Sequence, residues 1–226
     1  MRTSSNKNYA VIWDMDGVIA DTGVYHCRAW QKVFRRRGVS FTEEDFRRHF
    51  GQRNDTIIRA TLGQSLPQSE VDALATEKEQ LYRRFARSRI RPLPGAISLL
   101  RTLAGHGFKM ALGSSAPPEN IRLVLEELGI ESYLTTMVYG REVAEGKPSP
   151  QVFLLAAQKL GVEPKDCIVI EDSIAGVAAA KRAGMKCIAV TTTHPRESLA
   201  QADLVVGSLE EVSVEDLKKL LKGEGR

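Results

Sequence analysis

Apolar residues are distributed in three textures along this chain. The first is a short continuous run over 9–13, Tyr-Ala-Val-Ile-Trp, which ends at Asp14 and predicts a buried strand. The second is a long stretch without comparable runs, in which apolar residues recur at helical spacing. It predicts helices over 26–37 (closed by Gly38), 42–50, 55–62 and 69–89, the last with Ser69 as N-cap. Two prolines and a glycine within 91–95 then interrupt the pattern. The third texture alternates: helix 96–104, strand 108–112, helix 119–128 with Gly129 as its C-terminal cap, strand 135–139 and helix 150–160. It continues with strand 167–170, a small-residue helix 174–183 closed by Gly184, strands 187–190 and 204–206, and a final amphipathic helix 214–221.

Strands alternating with helices predict an α/β fold: a parallel sheet with helices on both faces. Right-handed crossovers bring all strand C-termini to one edge, where ligands of such sheets bind. The helical stretch lies between the first strand and the rest, so it is an insertion at that same edge. The residues that follow each strand are therefore the candidates for chemistry.

The first strand runs into Asp14-Met15-Asp16-Gly17-Val18, two carboxylates two residues apart with a glycine to turn the chain. A calcium loop of the helix–loop–helix type fits poorly, because Val18 stands where an oxygen ligand is needed and a strand precedes it. The second strand ends in Gly113-Ser114-Ser115, where hydroxyls and N–H groups can hold an oxyanion near the following helix N-terminus, with Asn120 in its first turn. Pro148 and Pro150 fix the loop that carries Lys147, a compact charge suited to phosphate. The strand at 167–170 ends in Glu171-Asp172-Ser173, where Ser173 suits a helix N-cap and the buried acids need solvation, a partner or a metal. Asp14 and Asp172 with a backbone carbonyl make a hard oxygen site that suits Mg2+ rather than zinc. Nucleophile, acid/base, metal and cationic clamp together are the inventory of phosphoryl transfer.

Composition narrows the picture further. At 226 residues, 42% hydrophobic and 27% charged, the chain is long enough for a sizeable core and ordinary for a globular protein. Cys27, Cys167 and Cys187 are widely spaced and sit among apolar residues, as buried thiols of a reducing compartment do. The polar segment 1–8 has no signal-peptide character and no apolar run reaches about 18 residues, which predicts a cytoplasmic protein. The formal charge of +4 is unevenly placed: residues 24–91 carry 15 Lys/Arg against 8 Asp/Glu, and the remainder has an acidic excess. These basic clusters match no nucleic-acid motif and predict a basic lid attractive to small phosphates, plus solvated helix surface.

The four strand-end segments, in order, resemble the motifs of the haloacid dehalogenase superfamily of phosphohydrolases, from residue 11 to about residue 206. The insertion resembles the α-helical cap of the subgroup with β-phosphoglucomutase and phosphoglycolate phosphatase. Residues 14–22 and 26–30 are especially similar to β-phosphoglucomutase-like members. The resemblance implies a Rossmann-like core at 1–22 and 93–226, a cap at 23–92, and hinges near 20–23 and 91–95. It implies Asp14 as nucleophile, Asp16 as acid/base, and Ser114 and Lys147 as phosphate clamps. It implies Mg2+ on Asp14, the Asp16 carbonyl and Asp172, with Glu171 assisting, and substrate contacts from Thr22, His26, Arg53, Asn54, Ser115 and Ala116. An ordinary Asp has a pKa of about 3.9, so Asp16 needs a raised value or transient protonation to act as an acid.

Dehalogenases and phosphonate-cleaving members lack the second acid, so Asp16 argues against both. β-Phosphoglucomutases carry a Lys directly before the glycine of the cap loop, where this chain has Phe50 before Gly51, and the loop is a residue shorter. The expected activity is therefore a Mg2+-dependent phosphatase acting on a small sugar-type phosphate, as a monomer with neither nucleic-acid nor membrane partners. The alternative is a mutase that moves phosphate between C1 and C6 of a hexose. A phospho-receiver domain is disfavoured because its acids are adjacent and its phosphorylated Asp lies on a later strand. A dinucleotide enzyme is disfavoured because no GxGxxG follows the first strand.

Overall fold

The computed structural model describes residues 8–223, so segment 1–7 of the polar N-terminus lies outside the described residues. Six strands form one parallel sheet: β1 (Ala10–Trp13), β2 (Lys109–Gly113), β3 (Thr136–Val138), β4 (Cys167–Glu171), β5 (Lys186–Val190) and β6 (Leu204–Val206). Their spatial order is β3-β2-β1-β4-β5-β6. The chain thus builds outward from β1 on one side, then returns to begin the other side at β4. The seam between β1 and β4, where Trp13 pairs with Ile170, is the point at which the order reverses and a crevice opens beyond the strand ends.

Both faces of the sheet are covered, and the two-residue strand period decides which side chain joins which face. Val11 and Trp13 point into one apolar layer with Ile168, Ile170, Ile188 and Val190. Ala10 and Ile12 point into the other with Cys167, Val169, Cys187 and Ala189. The first layer is closed by α5 (Ala96–Gly105), α6 (Pro118–Leu128) and α9 (Val214–Lys222), the second by α7 (Gln151–Leu160) and α8 (Ile174–Arg182). All three cysteines are buried free thiols, and burial raises the pKa of each.

Between β1 and β2 stand α1 (Gly23–Arg35), α2 (Glu43–His49), α3 (Asn54–Leu62) and α4 (Gln68–Ala86). They share a nucleus in which Trp30 stacks on Phe34 at 5.1 Å and Phe34 meets Phe41 at 4.9 Å. Several boundaries differ from those expected by one to three residues, and α4 ends at Ala86 rather than at 89; two of the starts have a clear cause. α1 starts at Gly23 rather than at 26, because the Thr22 carbonyl already accepts from the N–H groups of Tyr25 and His26. α4 starts at Gln68, with Pro67 in the N-cap position; Ser69 is its second residue and makes no cap, since the helix begins directly after the fixed φ of the proline. Ser173 caps α8 through the Gly176 N–H, and Gly129 closes α6 in the left-handed conformation, as expected.

The two strands of chain that connect the insertion to the sheet run side by side. Asp21 N–H donates to Arg91 O and Leu93 N–H donates to Ile19 O, both at 2.9 Å. Four of the basic residues of the insertion form ion pairs on its surface: Arg36 with Glu77, Arg37 with Glu70, Arg47 with Glu43 and Arg48 with Glu44. Among the described residues no helix is long and apolar enough to cross a membrane.

Candidate active site

The chain leaves β1 through a tight turn in which the Met15 carbonyl accepts from the N–H groups of Val18, Ile19 and Ala20. Strand geometry does not continue, so the two aspartates address different neighbours although both line one cavity. Gly17 makes this turn possible. Its φ is +84°, and a Cβ there would lie 2.0 Å from Asp172 Oδ2.

Asp14 faces Lys147. The lysine Nζ donates to Asp14 Oδ1 at 2.5 Å and to Glu171 Oε1 at 2.6 Å, with its side chain fully buried and lying over the Phe153 ring. Burial opposes the ammonium charge, but Asp14 and Glu171 outweigh it and raise the lysine pKa. Burial also pushes Asp14 up to about 7, helped by the charges of Glu171 and Asp16 and opposed by Lys147. Asp172, fully buried, is raised well above its ordinary value by burial and by the charges of Glu171 and Asp14.

Asp14, Glu171 and Asp172 offer carboxylate oxygens within 4.8 Å of one another. Glu171 Oε2 accepts from the N–H groups of Asp172 and Ser173 and from Ser173 Oγ, which fixes its rotamer. Asp172 Oδ2 accepts from Thr193, whereas its buried Oδ1 has no partner. An orphaned carboxylate oxygen in an all-oxygen acidic cluster fits a hard divalent cation, which would supply the missing contact and favour ionisation of the raised acids.

Asp16 has the opposite electrostatics. Thr22 Oγ1 donates to its Oδ1, and His26 Nε2 lies 3.2 Å from the same oxygen. Lys78 Nζ is 2.7 Å from His26 Nδ1, and an ammonium can only donate; Nδ1 therefore accepts and Nε2–H donates to Asp16. The imidazole is held flat against Tyr82, ring centroids 3.8 Å apart. Burial works to raise Asp16, but His26, Thr22 and Lys78 outweigh it and hold the group below its ordinary value. Both partners engage Oδ1, so Oδ2 takes no hydrogen bond from the described residues.

Ser114, Ser115 and Ala116 line the cavity after β2. Ser114 Oγ accepts from the Ala116 N–H, which leaves its own hydroxyl proton available. Ser115 Oγ donates to Gly51 O and so ties this loop to the helical insertion. Asn54 lines the cavity and donates to Glu79 Oε1 at 2.7 Å. Arg53 points elsewhere: its guanidinium donates to the Val143 and Ala144 carbonyls and pairs with Asp55, and its stem lies across Gly146.

Lys78, Glu79 and Thr193 are absent from the sequence reading. Lys78 occupies a position on the apolar face of α4, between Leu74 and Tyr82 at four-residue spacing, and that displaced charge is the signal that could have marked it. Thr193 follows β5, a strand end to which the same edge rule applies.

Residues 11–190 match the family model described as haloacid dehalogenase-like hydrolase. The chain is 34% identical over 215 residues to β-phosphoglucomutase of Bacillus subtilis (strain 168), covering 91% of this chain and 92% of that protein. It is 32% identical over 219 residues to the phosphorylated carbohydrates phosphatase of Thermotoga maritima, covering 94% and 98%. The crystal structure of β-phosphoglucomutase from Clostridium difficile superposes with a TM-score of 0.86 at 30% identity, covering 96% and 98%. With the strand ends, the acidic cluster and this match over most of its length, the chain belongs to the haloacid dehalogenase-like hydrolase family of enzymes.

Proposed function

We propose that this enzyme is a phosphatase that hydrolyses small sugar-type phosphate monoesters through a phosphoaspartate. The observation that carries the reading is the separate placement of its two aspartates in one cavity: Asp14 stands against Lys147 in an acidic cluster with an orphaned oxygen, and Asp16 stands on a Thr22–His26–Lys78 support that leaves its Oδ2 free. Environments that separate two titratable groups in this way support separate roles.

In this mechanism an Asp14 carboxylate oxygen attacks phosphorus, and the bond from phosphorus to the ester oxygen breaks. Asp16 transfers a proton from Oδ2 to the departing oxygen, then takes one from the water that attacks the phosphoaspartate; inorganic phosphate leaves and Asp14 is restored. The dianionic phosphoryl group beside Asp16 opposes the depression of its pKa, which provides the transient protonation that the acid step needs. Ser114, through its free hydroxyl proton, and Lys147 hold the phosphoryl oxygens in place. Asp14, the Asp16 carbonyl and Asp172, with Glu171 behind them, would hold Mg2+, which supplies charge neutralisation at the phosphoryl oxygens. The insertion at 23–92 acts as a cap over the core at 1–22 and 93–226. It opens at the paired segments near 20–23 and 91–95 to admit substrate and closes to limit water.

Resemblance to β-phosphoglucomutases favours a second reading, in which the phosphoaspartate returns its phosphoryl group to another sugar hydroxyl. Phosphorus NMR of β-glucose 1-phosphate incubated with enzyme, Mg2+ and a bisphosphate primer separates the two. Net release of inorganic phosphate is expected; conversion to glucose 6-phosphate without release would overturn the phosphatase reading.

A further inference from the structure

The far side of the cavity, away from Asp14, is built from the helical insertion. Trp30, Phe46, Phe50 and Ile57 supply apolar wall, and the polar positions are Gln52, Asn54, Lys78 and Glu79. Among the described residues Lys78 is the only lysine or arginine lining this space, and its charge is already engaged: Nζ donates to Glu79 Oε1 at 2.9 Å and to His26 Nδ1. Of the neighbouring cations, Arg53 is turned to the 143–144 carbonyls and Arg83 donates to Asn120.

Glu79 is buried, with 7% exposure, and is firmly positioned. Oε1 accepts from Lys78 and Asn54, and Oε2 accepts from Asn120 Nδ2 at 2.5 Å. Asn120 belongs to α6 of the sheet layer and itself accepts from Arg83 at 2.9 Å. Burial raises the carboxyl, but Lys78, His26 and Asn54 outweigh it and keep Glu79 below its ordinary pKa. A carboxylate has about four acceptor positions, so Oε2 retains one after these three contacts.

We infer that Glu79 is a specificity-determining residue of the leaving-group pocket: it accepts a hydrogen bond from a hydroxyl or amine of the substrate and excludes esters that carry a second phosphate or carboxylate there. The inference rests on the phosphomonoester reading and deepens it to substrates whose leaving group is uncharged or cationic and bears hydroxyls. The physical reason is that, among the described residues, the cation lining that side is already paired with Glu79, so nothing compensates a second anion placed beside the fixed carboxylate. Closure of the insertion assembles this pocket, since Asn120 completes the Glu79 shell only from the sheet layer.

The test measures binding and turnover separately. Calorimetry with Mg2+ on the Asp14→Asn protein compares glucose 6-phosphate, glucosamine 6-phosphate and glucose 1,6-bisphosphate, and the same titrations are run with Glu79→Gln and Glu79→Asp added. Both monophosphates are expected to bind at least about tenfold tighter than the bisphosphate, and Glu79→Gln to narrow that ratio about tenfold while the charge-retaining Glu79→Asp preserves the preference. Equal binding of mono- and bisphosphate, or an unchanged ratio in Glu79→Gln, overturns the inference. Failure of both monophosphates at about 10 mM, where inorganic phosphate binds, overturns it as well. The unsubstituted enzyme is assayed for phosphate release in parallel: binding discrimination without any hydrolysis would sink the phosphatase reading and leave the role of Glu79 standing.

Discussion

Lys147 Nζ stands 2.5 Å from Asp14 Oδ1, fully buried, and the same ammonium is shared with Glu171. The relationship makes one cation the counterweight to an acidic cluster that also contains Asp172. Lys147 therefore stabilises the buried acids and, in the proposed reaction, the phosphoryl group as well.

Removing that counterweight leaves buried acids uncompensated. Lys147→Ala is expected to cost about 3–5 kcal/mol, the usual effect of breaking one side of a buried pair. For a chain of this size that lowers Tm by roughly 6–20 °C in a metal-free scan. Differential scanning calorimetry checks it, and an unchanged Tm would show that the acids are neutral without the lysine.

Asp16 is expected to matter in proportion to how poor the leaving group is. Asp16→Asn should reduce kcat/KM, which reports transfer to Asp14, on an alkyl sugar phosphate by about 10²–10⁴-fold, the range for losing a positioned acid. On p-nitrophenyl phosphate, whose phenolate leaves without a proton, the loss should be at least about tenfold smaller. Parallel assays of the two esters decide the matter; equal losses on both would remove the acid role.

Gly17 is constrained twice, by its left-handed backbone and by the carboxylate of Asp172 against it. Gly17→Ala should cost about 1–2 kcal/mol from the backbone alone and push Asp172 away from Asp14. A Tm loss of a few degrees with a weaker Mg2+ affinity, read by calorimetric titration, is the expected pair of results. A destabilised protein with unaltered metal affinity would confine the effect to the turn.

Asp14 and Asp172 are raised above their unfolded values by burial, so each stabilises the metal-free fold below the ordinary carboxylate pKa, and that contribution is lost as pH rises through the folded value. For Asp14 the loss spans the window from 3.8 to about 7. A divalent cation prefers the ionised pair and reverses the sign. The rise in Tm on adding Mg2+ should therefore grow between about pH 5 and about pH 8. Scans with and without Mg2+ across that range check it, and a constant increment would mean that the cluster does not bind through these two carboxylates.

The sequence by itself determined the alternation of strand and helix, and with it the sheet edge on which Asp14, Asp16, Ser114, Lys147, Glu171 and Asp172 gather. Each follows a strand whose period and termination are local properties, and parallel connection forces those ends together. What it did not determine depends on side chains far apart in the chain. The pairing of Lys147 with Asp14 across 133 positions exists only once the sheet has formed, and the support of Asp16 by Lys78 through His26 and the turning of Arg53 to the 143–144 carbonyls only once the insertion packs over the edge. Local pattern could also not separate Ser69 from Pro67 as the start of α4, because both are ordinary residues for a helix entry. The pocket lined by the insertion, with Glu79 held between Asn54, Lys78 and Asn120, belongs to the tertiary structure alone, since its charge is set by which groups share one buried volume.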